Sequence, residues 1–97
     1  MLDKIKQVME IKKQAERMKR ELEASWIDVQ DVSGIKIRIN GAQQFQSNEV
    51  EERFLNPDNK KKLEADLLKS LNAATAKSQM LAAQKMKDLT GFNIPGF

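Results

Sequence analysis

The hydrophobic positions follow a helical period at both ends of the chain and a period of two between them. From Leu2 to Ala24 there is no Gly and no Pro, and Val8, Ile11, Ala15, Met18 and Leu22 recur in steps of three and four. That spacing lays one apolar seam along a helix, with Leu2, Ile5 and Met9 as a second strip near its start. Beyond Ala24 alternation takes over. Ile35, Ile37 and Ile39 interleave with Lys36, Arg38 and Asn40, and β-branched residues in that pattern suit a half-buried strand. Residues 26–32 precede it as another strand, joined through Ser33 and Gly34. Asn40 and Gly41 follow as a hairpin signal, because both tolerate positive φ. Residues 43–54 read as a third, irregular strand anchored by Phe45, Val50 and Phe54. Phe45 and Val50 differ in parity, which calls for a bulge or break between them.

Asn56 and Pro57 mark a helix start, the first as cap and the second in the opening turn. The helix is expected to run to about Thr90 and stop at Gly91. Leu63, Leu67, Leu71, Ala74, Ser78 and Leu81 form its apolar stripe, and the tail Phe92-Asn93-Ile94-Pro95-Gly96-Phe97 is short and apolar. The expected fold is α+β: an α-β-β-β-α protomer, with a small antiparallel sheet flanked by two long helices, in a single domain over residues 1–97. Three strands span about 14 Å and a seven-residue strand about 23 Å. The helices would measure about 34 and 50 Å and so overhang the sheet with apolar stripes still uncovered. Each chain would meet that need with a second copy, giving a homodimer with projecting helices.

Composition narrows the chemistry. The 97 residues include no Cys and no His, so thiolate and imidazole chemistry and an ordinary zinc site are not expected. No apolar run approaches the length of a signal peptide or a membrane span. The expectation is a soluble cytoplasmic protein with no cofactor, no metal, no membrane partner and no small-molecule substrate. Glu49, Glu51 and Glu52 lack the partner residues of an acid–base site and read as a solvated strand or loop. Trp26 reads as a core anchor at the helix–strand junction and the methionines as core filler.

The formal charge is +3, but its distribution is uneven. Residues 1–24 and 60–97 are net +2 and +4, whereas residues 25–59 are net −3. A polyanion would therefore meet the two helices and not the sheet. On the first helix Lys6, Lys13, Arg17 and Arg20 fall within one narrow sector opposite the apolar seam, a stripe about 21 Å long. On the second helix Lys62, Lys69 and Lys87 share the face away from the stripe, with Lys77 at its margin.

Residues spread along the whole chain carry a resemblance. They are the first helix Met9-Glu10-Ile11-Lys12-Lys13-Gln14-Ala15-Glu16-Arg17-Met18, the strand and turn Ile35-Lys36-Ile37-Arg38-Ile39-Asn40-Gly41, the helix segments Leu63-Glu64-Ala65-Asp66-Leu67-Leu68 and Asn72-Ala73-Ala74, and the closing Ile94-Pro95-Gly96-Phe97. In this order they resemble the YbaB/EbfC family of bacterial nucleoid-associated proteins over nearly the full length. The resemblance implies the α-β-β-β-α protomer, a dimer joined through the sheet region, helices projecting like tweezer arms, and DNA binding with little sequence preference in the nucleoid. It implies no catalytic residues.

One basic stripe alone would read as a solvated helix face. Two basic helices flanking an acidic sheet, taken with the resemblance, point to non-enzymatic binding of double-stranded DNA through phosphates. The candidate contacts are Lys6, Lys13, Arg17, Arg20, Lys62, Lys69, Lys77 and Lys87. The rival is a protein–protein adaptor or chaperone-like clamp that grips a polypeptide between its helices. Such a clamp would show apolar rather than basic inner faces.

Overall fold

The computed structural model describes residues 2–90. Helix α1 (Leu2–Ala24) leads into strands β1 (Trp26–Val29), β2 (Ile35–Asn40) and β3 (Phe45–Val50), and helix α2 (Lys60–Thr90) follows two short 3-10 turns. The strands form one antiparallel sheet in the order β1-β2-β3. This is the α-β-β-β-α protomer that the sequence periodicity predicts. The expected stop at Gly91 and the apolar tail lie outside the described residues.

The centre of the fold is one face of β2. Ile35, Ile37 and Ile39 are buried, and Val29, Phe54 and Ala74 close around them. Strand pairing carries that face outward, since Ile27 sits opposite Ile39, Val29 opposite Ile37, and Val50 opposite Ile35. Helix α2 covers it with Leu63, Leu67 and Leu71, and with the small residues Ser70, Ala74, Ser78 and Ala82 where it comes closest. Small side chains at four-residue steps let the helix axis approach the sheet, so compact packing replaces bulk in that stretch.

Several local expectations are corrected. The first strand ends at Val29 instead of residue 32, because the chain turns there: the Ile35 N–H bonds the Val32 carbonyl at 3.2 Å, and Gly34 takes φ +88°. A Cβ on Gly34 would stand 2.5 Å from the Arg53 guanidinium and 2.8 Å from the Phe54 ring. The third strand ends at Val50, and Phe54 reaches the core from a 3-10 turn. The expected bulge is present: Arg38 pairs with Ser47 but Ile39 with Phe45, which leaves Gln46 extra and brings Phe45 and Val50 to one face. Phe45 is nevertheless half exposed, because α2 does not reach over the edge strand.

Asn40 and Gly41 do not form the expected two-residue turn. The loop spans residues 41–44, and the positive φ falls on Gln43. Asn56 accepts a hydrogen bond from the Asp58 N–H and caps the 3-10 turn that runs into α2, with Pro57 first in that turn. Trp26 is only partly buried. It pairs with Asn40 on the sheet face turned away from the isoleucines, beneath the Arg38 guanidinium. Met9 and Met80 are exposed and fill no core in this chain.

Candidate nucleic-acid interface

Helix α1 owes its form to strong helix formers without a breaker, but hardly to tertiary packing. None of its residues is buried, and residues 2–17 are all exposed. Packing begins at Met18 and Leu22, and a 3.6 Å ion pair joins Glu21 to Lys85 of α2. The molecule is elongated as a result. Its longest dimension is 67 Å and its radius of gyration 18.3 Å, where a compact chain of this length would have about 12–13 Å. Helix α1 is therefore a projecting arm.

The arm is held at its base by the loop after β2. Asn40 is fully buried, and its Nδ2 donates to the Glu23 carbonyl at 3.1 Å and to Gln44 Oε1 at 2.7 Å. Its Oδ1 accepts from the N–H groups of Ala42 and Gln44 at 3.0 and 2.9 Å. The Gly41 N–H is shared between the carbonyls of Leu22 and Ser25, each at 3.0 Å. The carbonyls at the end of a helix have no partners inside it, and here the β2 loop supplies them. On the other side Ser78 of α2 donates to the Asn40 carbonyl at 2.7 Å.

Along the arm, Lys6, Lys13, Arg17 and Arg20 are exposed, and none of them takes part in an ion pair among the described residues. Lys4 and Lys12 on the same helix are likewise exposed and unpaired. Candidates on α2 divide. Lys69 and Lys87 are exposed and unpaired among the described residues, whereas Lys62 meets Asp66 at 3.2 Å and Lys77 meets Asp31 at 2.6 Å. Charge on the open sheet face is also engaged. Lys36 lies 3.9 Å from Glu49, and Arg38 lies 3.8 Å from Asp28 with its guanidinium 5.8 Å from the Trp26 ring centre. Glu51 pairs with Arg53 at 2.8 Å.

Among the described residues, unpaired cations thus concentrate on the arm and on the outer face of α2, and the sheet's charges neutralise one another. The arrangement can offer separated, solvated cations to an extended anion, which suits a phosphate backbone better than a single small ligand. The sequence did not disclose the role of Asn40 at the arm's base, because the Asn-Gly pair reads as a turn and nothing in the spacing places Glu23 beside it. Among the described residues no cluster of potential metal ligands occurs, and no helix is long and apolar enough to cross a membrane.

Residues 1–92 match the YbaB/EbfC DNA-binding family. A nucleoid-associated protein of Prochlorococcus marinus (strain MIT 9301) is 36% identical over 96 residues, covering 95% of this chain and 82% of the relative. A nucleoid-associated protein of Chloroflexus aurantiacus is 30% identical over 83 residues, covering 84% of this chain and 83% of the relative. One of Syntrophobacter fumaroxidans is 29% identical over 94 residues, covering 95% and 86%.

Proposed function

The chain belongs to the YbaB/EbfC DNA-binding family, and from that premise we propose that it is a non-enzymatic, nucleoid-associated protein of the cytoplasm that binds double-stranded DNA as a homodimer. The observation that carries the reading is the stripe Lys6, Lys13, Arg17 and Arg20: exposed, unpaired among the described residues, and mounted on an arm that packs only at its base. Lys69 and Lys87 add a second unpaired basic surface on α2, while Lys62 and Lys77 reach DNA only by exchanging carboxylates for phosphates. Phosphate contacts carry no base information, so sequence preference is low. On labelled duplexes of equal length and unrelated sequence, dissociation constants are expected to agree within about threefold. Binding to one sequence alone would contradict this, and binding to none would remove the reading.

Dimerisation is supported by uncovered apolar surface in two places. One is the arm, with Leu2, Ile5, Val8, Met9 and Ile11; the other is the free edge of β3, where Phe45 lines a groove with Ile37 and Leu71. An edge strand without Lys or Pro is open to pairing, and a small domain gains by burying such a surface. Sedimentation at micromolar concentration is expected to give a dimer. A folded monomer whose mass does not change with concentration would contradict that expectation.

The same apolar residues on the arm favour a second reading, a clamp that grips a partner polypeptide. In that case affinity would rest on apolar burial, and added salt would leave it nearly unchanged.

A further inference from the structure

The geometry points to Asn40 as the residue that aims the arm, and through it the basic stripe, at DNA; this rests on reading α1 as the phosphate-contacting element. Asn40 is a positioning residue with no charge and no access to a ligand. Its side chain has two donor hydrogens and two acceptor sites, and all four are used: the donors on Glu23 and Gln44, the acceptors on Ala42 and Gln44. The acceptor half shapes the loop. The donor half reaches the last turn of α1, and Gly41 adds the Leu22 carbonyl beside it. Through its own carbonyl Asn40 is tied to Ser78 of α2, so one residue joins the arm, the loop and the covering helix.

Leverage makes this joint consequential. Within one chain residues 2–17 are exposed, so the contacts at the base are the ones by which the chain itself sets the arm's direction. Lys6 lies about 25 Å along the helix from Glu23, and a tilt of about 10° at the base moves it by about 4 Å. That displacement equals the reach of an ion pair. An arm held in place keeps its cations in register with a rigid duplex, whereas a loose arm loses ordering entropy each time it binds.

Two substitutions test the joint in different ways. Asn40→Asp keeps an acceptor for the loop and removes the donors to Glu23 of α1 and to Gln44. Gly41→Ala keeps every hydrogen-bonding group but places a Cβ 3.0 Å from Leu22 Cδ2 and 3.3 Å from the Leu22 carbonyl. Its φ is not in the left-handed region, so backbone strain does not confuse the result. Should the buried aspartate prevent folding, Asn40→Ser, which is uncharged and too short to reach the Glu23 carbonyl, takes its place. Because the chain has no Cys, spin labels can be placed through Gln7→Cys and Gln79→Cys, with labelled protein diluted into unlabelled protein so that distances fall within one chain.

The folded variants are expected to keep native helical circular dichroism, to broaden the Gln7–Gln79 distance distribution, and to bind duplex DNA about tenfold more weakly. In a background with Lys6, Lys13, Arg17 and Arg20 changed to Gln, the same substitutions are expected to alter affinity by less than about twofold, because the groups they aim are gone. An unchanged distance distribution, an unchanged affinity, or a tenfold loss that persists in the Gln background would overturn the inference. If the unaltered protein binds no duplex, the DNA reading fails, while the label distances still decide whether Asn40 holds the arm.

Discussion

Replacing Ile37 with aspartate is expected to abolish the fold. Ile37 sits at the middle of β2, 1% exposed, with Val29 opposite it across the sheet and α2 above. Its burial stabilises the chain by about 1.5–3 kcal/mol. An aspartate there would lose that contribution and also bring a carboxylate into a site where Val29, Ile35, Ile39 and Ala74 offer it no partner. Burying an unpaired polar group adds several kcal/mol, and a domain of this size has only about 5–15 kcal/mol in total. Ile37→Val, which removes one methylene, should cost about 0.5–1.5 kcal/mol and keep the fold. Far-ultraviolet circular dichroism and the fluorescence of Trp26, the only tryptophan, report both outcomes. A cooperative melt with native helical signal in the aspartate variant would show that the core is not where the structure puts it.

The largest expected effect on binding comes from Lys6, Lys13, Arg17 and Arg20. Changing all four to Gln should keep the helix, since Gln is nearly as good a helix former and none of the four anchors the arm by an ion pair among the described residues. Removal of about four phosphate contacts should weaken duplex binding by about a hundredfold at moderate salt and flatten its salt dependence. The loss should be uniform across sequences. Lys36→Gln with Arg38→Gln is the matched control on the sheet. Those cations are already engaged by Glu49, Asp28 and the Trp26 ring, so affinity should change by no more than about threefold. A larger loss from the sheet pair than from the helix quartet would place DNA across the sheet.

Much of the fold was legible because the hydrophobic period changes where the secondary structure changes. Ile35, Ile37 and Ile39 alternate and lie on one buried face, and Asn56 with Pro57 stands at the start of the turn that becomes α2. The parity conflict between Phe45 and Val50 foretold a bulge, which Gln46 supplies. What local pattern could not give was the destination of a side chain. Phe54 is buried as expected of an anchor, yet it arrives from a 3-10 turn, because an isolated aromatic carries no period. Met9 follows helical spacing but is exposed, since spacing says which face seeks cover and not what covers it.

The candidate site was legible to a similar depth. The basic sector of α1 follows from helical geometry alone. The pairing of Lys62 with Asp66 is a four-residue helix contact and could be read from spacing. Lys77 with Asp31 could not, because the partners are 46 residues apart and meet only through the fold. The hold of Asn40 on Glu23 is hidden for the same reason.

The measurement that bears most directly on the central claim is the salt dependence of duplex binding by the unaltered protein. If the arm neutralises about four phosphates, a plot of log affinity against log salt should have a slope near −3.6, or about a 150-fold loss between roughly 50 and 200 mM. A flat plot would contradict DNA binding through the basic arm and leave the polypeptide clamp as the better account.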